Sequence, residues 1–128
     1  MNPEISIVIP VFNEEENISI LSSAIHRDMS DVMWPYECIF VDDGSTDESY
    51  KEMKKVCEEY DNFRIVRLKR NCGQTAALDA GFRASKGKYI VMMDADLQND
   101  PSDIPLLLQK LMVMIWFMVG ALRERIRW

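Results

Sequence analysis

Residues 89–96 read Tyr89-Ile90-Val91-Met92-Met93-Asp94-Ala95-Asp96. An apolar run of strand length ends abruptly in two carboxylates one residue apart, which predicts a buried strand with an acidic turn at its carboxyl end. The same arrangement occurs twice upstream. Ile5-Ser6-Ile7-Val8-Ile9 is a β-branched run ended by Pro10, with Asn13-Glu14 just beyond it, and Cys38-Ile39-Phe40-Val41 is broken by Asp42-Asp43-Gly44. Such continuous apolar runs suit strands covered on both faces, as in a parallel sheet. Arg64-Ile65-Val66-Arg67-Leu68 alternates and makes a further strand.

Helical spacing fills the intervals. Ile18, Leu21, Ile25 and Met29 share one face, as do Tyr50, Met53, Cys57 and Tyr60. Asn13 with Glu16, and Ser45 with Glu48, have capping-box spacing at the starts of these helices. Asn71-Cys72-Gly73-Gln74 leads into an Ala-rich helix to about Ala84, punctuated by Gly87, and Pro101 suits the first turn of another through Leu106-Leu107-Leu108. Strands alternating with helices predict an α/β fold: a Rossmann-like, mainly parallel sheet with flanking helices and right-handed crossovers.

Composition narrows the function classes. The 128 residues carry 15 Lys and Arg against 21 Asp and Glu, a net charge of −6, so no uniformly basic face is expected and bulk nucleic-acid binding is disfavoured. The longest apolar run, Leu111–Leu122, falls short of the roughly 18 residues of a membrane span. No signal-peptide pattern opens the chain. Three scattered cysteines and one histidine, His26, exclude a disulfide scaffold and a zinc site, fit a reducing compartment, and predict packing roles for the thiols and a surface place for His26.

In open α/β sheets, ligands bind beyond the carboxyl ends of the strands. Three acidic or polar clusters fall there: Asn13-Glu14, Asp42-Asp43 and Asp94-Ala95-Asp96. Asp94 and Asp96 suit Mg²⁺ or Mn²⁺, which are held by one or two carboxylates with phosphates and water completing the shell, and Gln98 offers a further oxygen. Capping needs only Ser45, which leaves Asp42 and Asp43 for the base N–H and ribose hydroxyls of a nucleoside. Arg64, Arg67, Lys69 and Arg70 form a local basic cluster, read either as a solvated edge strand or as placing Arg70 and the Gly73 turn beside a diphosphate. No GxGxxG follows the first strand, which disfavours a dinucleotide dehydrogenase, and residues 81–88 (GFRASKGK) miss the phosphate-loop pattern in spacing and context.

Taken together, ISIVIPVFNEEENI, ECIFVDDGSTDES and RNCGQTAALDAGFRASKGKYIVMMDADLQNDPSDIP resemble the family 2 glycosyltransferases of GT-A fold over about residues 4 to 110. The likeness is nearest to the polyprenyl-phosphate branch, the dolichyl-phosphate mannose synthase type. The resemblance implies a nucleotide-sugar donor, UDP- or GDP-linked, and inversion at the transferred sugar. It implies nucleoside contacts from Pro10, Phe12, Asn13, Glu14, Val41, Asp42 and Asp43, and diphosphate and metal contacts from Asp94, Ala95 and Asp96 with Gln98. The implied acceptor is a polyprenyl phosphate, already an anion, so no catalytic base is named. The full-length enzyme is expected at the cytoplasmic face of a membrane, and this chain in the cytoplasm, binding donor but catalytically incomplete.

Residues 1–111 therefore read as the nucleotide-sugar-binding part of a GT-A domain, and 112–128 as an aberrant apolar and basic tail. Shifting the reading frame by one base near codons 110 to 112 restores a D-G-Y-D-M-V-Y-G-W-R pattern, which suggests a lost base; gene sequencing across this point decides it. The other reading is a genuine terminal or partner-binding helix, consistent with a non-catalytic nucleotide-binding or interaction module. An exposed sheet edge and the apolar tail predict self-association.

Overall fold

The computed structural model describes residues 2–30, 32–96 and 105. Seven elements alternate within them: β1 (Ile5–Val11), α1 (Ile18–Met29), β2 (Tyr36–Asp42), α2 (Ser49–Glu59), β3 (Phe63–Arg67), α3 (Gln74–Ala84) and β4 (Tyr89–Met92). The strands form one parallel sheet in the order β3-β2-β1-β4. The helix expected from Pro101, the proposed ligand Gln98 and the tail from residue 112 lie outside the described residues.

Alternation along the strands divides the core in two. Ile5, Ile7, Ile9, Cys38 and Phe40 face α1 and α2, meeting Leu21, Ile25, Met29 and Met53. Val8, Ile39 and Val41 face α3, where they meet Ala77. The approach of α3 is close because residue 81 is glycine: a Cβ there would stand 2.3 Å from Val8 Cγ1 and 3.0 Å from Val41 Cγ2.

The first strand runs through Pro10 to Val11 instead of ending at the proline. Val8 accepts from the Met93 amide on the β4 side, and Val11 accepts from Asp43 on the β2 side. Pro10, two residues after Val8, therefore faces the β4 edge beyond the last ladder pair, Val8↔Met92, where its missing N–H costs no sheet bond.

At the opposite end of the sheet a buried network fastens the loop before β4. Ser6 Oγ donates to Glu37 Oε1 at 2.7 Å and accepts from the Gly87 amide at 2.9 Å. Glu37 also accepts from the Lys86 amide and from Arg64 Nε, and Arg64 donates to the Ala84 carbonyl. Burial raises the pKa of Glu37, but the Lys86 amide, the Ser6 hydroxyl and Arg64 outweigh it and hold the carboxyl below its usual range. Strand β4 is an edge strand among the described residues, with Ile90 and Met92 exposed. No described helix is long and apolar enough to cross a membrane.

Candidate functional site

Strand order reverses direction at β1: β2 and β3 lie on one side and β4 on the other, so the crevice between the carboxyl ends of β1 and β4 is a switch point. A cleft of about 390 Å³ opens there. Pro10, Val11, Phe12 and Glu14 form one wall, continuing from β1, and Asp43 enters from the end of β2. Asp94, Ala95 and Asp96 form the opposite wall, and Asn71, Gly73 and Gln74 close the third side at the start of α3.

The two walls differ in character. Phe12 is 45% exposed, a ring presented at the cleft rim rather than packed in the core. Asp43 is nearly buried, and its Oδ1 accepts from the Cys72 amide at 2.7 Å, which ties the segment before α3 to the end of β2. Glu14 accepts from the Asn17 side-chain amide at 2.8 Å. Asp94 and Asp96 are exposed while Ala95 between them is buried in the core, so the small residue anchors the turn and leaves both carboxylates outward. Gln74 Nε2 donates to Asp94 Oδ1 at 3.3 Å.

Of the residues singled out from sequence, Pro10, Phe12, Glu14, Asp43, Gly73, Asp94, Ala95 and Asp96 meet in this cleft. Val41 does not: its side chain is fully buried against Val8 and Ala77 beneath α3. Asp42 is also fully buried, on the opposite face of the sheet. One of its oxygens accepts from the Ser45 amide at 3.0 Å, and the other faces Arg67 Nε at 3.4 Å without an aligned hydrogen bond. Alternation explains the division of this acidic pair, since neighbouring residues at a strand end leave on opposite sides.

The basic cluster is divided as well. Arg64 is committed to Glu37, and Arg67 lies against Asp42 with its guanidinium 3.9 Å from the centre of the Tyr50 ring. Arg70 is exposed and its side chain is not on the cleft wall; its backbone packs against Gly44, whose φ is +72° and where a Cβ would stand 2.4 Å from the Asn71 nitrogen. Gly44 is thus required both by its left-handed backbone and by this close approach.

Asn13 departs furthest from expectation. It does not cap α1, whose N-cap is Asn17; the Asn17 side chain makes no capping hydrogen bond to the helix and is turned to Glu14 instead. It adopts φ +53° and turns its Oδ1 to the amides of Thr46 and Asp47, in the loop before α2. Nor is Ser45 the cap of α2, because its hydroxyl accepts from the Asn13 amide. His26 is exposed as expected but stacks on Tyr60, and Cys72 is an exposed thiol beside the cleft rather than a packing residue. Asn71 and Gln74 were not anticipated as cleft residues. Their signal was position: they open the helix that follows the third strand, on the same edge as the acidic ends.

A parallel α/β sheet of this order, with helices on both faces and its cleft at the switch point, is a Rossmann-like domain of GT-A type. The chain belongs to glycosyl transferase family 2, whose profile it matches over residues 6–113. It is 45% identical over 109 residues to the dodecaprenyl-phosphate galacturonate synthase of Rhizobium johnstonii, covering 84% of this chain and 32% of that protein. It is 42% identical over 103 residues to the undecaprenyl-phosphate 4-deoxy-4-formamido-L-arabinose transferase of Proteus mirabilis, covering 80% and 32%. The chain thus spans about a third of the length of these relatives. Among solved structures it resembles a Pyrobaculum calidifontis mannosyltransferase in complex with GDP-Man and Mn²⁺, with TM-score 0.68, 23% identity, and 80% and 30% of the two chains covered. It also resembles the glucosyl-3-phosphoglycerate synthase of Mycobacterium tuberculosis in complex with Mn²⁺, UDP and glucosyl-3-phosphoglycerate, with TM-score 0.68, 26% identity, and 85% and 39% covered.

Proposed function

We propose that this chain is the donor-binding portion of a divalent-cation-dependent, inverting glycosyltransferase whose full-length form moves a sugar from a UDP- or GDP-sugar to a polyprenyl phosphate at the cytoplasmic face of a membrane. The observation that carries the proposal is the meeting of Phe12, Glu14, Asp43, Asp94 and Asp96 in one cleft. The two polyprenyl-phosphate relatives support the acceptor class, and the nucleotide complexes of the structural neighbours support the donor class.

The aromatic and carboxylate wall suits a nucleoside. Phe12 offers a ring for the base, while Asp43 and Glu14 accept from base N–H groups or ribose hydroxyls. The Cys72 amide holds Asp43 in one orientation for that task. Gly73, at φ +92° with open space where a Cβ would stand, leaves room for a diphosphate beside the chain. Asp94 and Asp96 would hold Mg²⁺ or Mn²⁺. Either cation is commonly held by one or two carboxylates, with phosphate and water completing its shell. Such a cation, when bound, neutralises charge growing on the departing nucleoside diphosphate. The chain's contribution is then to fix base, ribose and diphosphate so that the anomeric carbon faces the acceptor. A phosphate acceptor is already anionic, and no general base is assigned to this chain.

Thermal unfolding with UDP, GDP and their sugars, each with and without MnCl₂, tests the proposal. A nucleotide at about 100 times its Kd stabilises the fold by about 2.7 kcal/mol. The Asp94→Asn/Asp96→Asn double variant is expected to keep its fold and lose the Mn²⁺-dependent part of that shift. Absence of a shift with every nucleotide in the parent chain overturns the donor-site assignment.

A further inference from the structure

The loop after β1 and the loop after β2 are bound to each other by hydrogen bonds that serve no helix end in their own segment. Asn13 Oδ1 accepts from the Thr46 amide at 2.8 Å and the Asp47 amide at 3.3 Å, while the Asn13 amide donates to Ser45 Oγ at 3.0 Å. The next two amides continue the pattern: Glu14 N–H donates to Ser49 Oγ at 2.8 Å, and Glu15 N–H to Asp47 Oδ2 at 3.3 Å. Glu48 N–H returns a bond to Glu15 Oε2 at 3.1 Å. Ser49, the inner end of this clasp, is fully buried.

The clasp sits directly behind the nucleoside wall. Phe12 and Glu14 flank Asn13 in sequence, and Asp43 lies two residues before Ser45, so all three cleft residues hang from the segments the clasp joins. Asn13 is its centre, the only described non-glycine residue with positive φ. Asparagine tolerates that conformation and brings an acceptor to it. Asn13 itself is absent from the cleft wall.

We infer that Asn13 is a positioning residue for nucleotide recognition: it touches no ligand and sets the spacing of Phe12 and Glu14 against Asp43 by clamping the loop before α2. The inference rests on the donor-site assignment above. It predicts that the clasp governs affinity for the nucleoside end and leaves the Asp94–Asp96 end untouched.

Three variants of the whole chain separate the parts of this claim, with UDP and GDP titrated calorimetrically with and without MnCl₂. Asn13→Gly accepts φ +53° and lacks the acceptor, so it isolates the side chain from backbone strain. Asn13→Asp keeps both the acceptor and the tolerance, and Asn13→Ala loses both. Asn13→Gly and Asn13→Ala are expected to weaken nucleotide binding by about tenfold, the effect of about 1.4 kcal/mol, whereas Asn13→Asp stays within about twofold of the parent. The factor by which Mn²⁺ strengthens binding is expected to be the same in parent and Asn13→Gly. Parent-like affinity in Asn13→Gly, or a folded Asn13→Asp as weak as Asn13→Ala, overturns the inference and leaves the donor site standing. A parent chain that binds neither nucleotide overturns both.

Discussion

Two glycines show how much a single Cβ decides. At Gly81, inside α3, an added methyl would press on Val8 and Val41, both fully buried in the sheet. Gly81→Ala gains helix propensity, but overpacking dominates, and a loss of about 1–3 kcal/mol is expected in urea unfolding. Gly44→Ala meets both a left-handed φ and the Asn71 backbone, so it is expected to displace the segment that carries Asn71 and Gly73 and to weaken nucleotide binding as well as stability. Sequence foretold a turn at Gly44 and only a failed phosphate-loop pattern at Gly81. Neither the approach of Arg70-Asn71 nor that of Val8 is local in the chain, and no local pattern encodes it. Asp42 and Asp43 make the same point in polar chemistry. Their identity announced an acidic strand end, while the face each one reached depended on the sheet register.

Elements were legible wherever burial imposes a period. The strand cores and the apolar faces of α1 and α2 fall where the pattern places them, because a buried strand or helix face needs apolar residues at set intervals. Caps were misplaced, because Asn, Ser and Asp side chains at strand-to-helix loops have partners on the neighbouring loop as well as on their own helix. Strand β4 illustrates what an element needs from a distance. It has only four residues, and its entry is secured by Glu37, which lies on β2. The Glu37 carboxyl is held below the usual range for glutamate, so its bonds stabilise the fold above pH 4.5 and are lost as pH falls through its lowered folded value. Glu37→Gln is therefore expected to lower the urea midpoint at pH 7, with the gap to the parent narrowing towards pH 3. A gap independent of pH would exclude the ionised carboxylate as the source.

For the molecule as a whole, one sheet serves two cores, and Phe40 sits at its centre, fully buried and 5.9 Å from the Phe63 ring. Phe40→Ala is expected to cost about 3–5 kcal/mol. That is a large share of the stability of a small domain, about 5–15 kcal/mol. Amide exchange in α1, α2 and β2 should accelerate together if the fold is cooperative. Sequence by itself determined the alternation of strands and helices, the parallel α/β class, the acidic ends of the strands and the family, because each follows from periodicity or from motifs contiguous in the chain. Tertiary structure decided which of those acids share a cleft. It sent Asp42 to Arg67 and Asp43 to the cleft, buried Val41 under α3, turned Asn13 onto the neighbouring loop, and added Asn71 and Gln74 to the wall. The reason is geometric. A sheet brings together residues far apart in sequence, and a one-residue step along a strand carries a side chain to the opposite face.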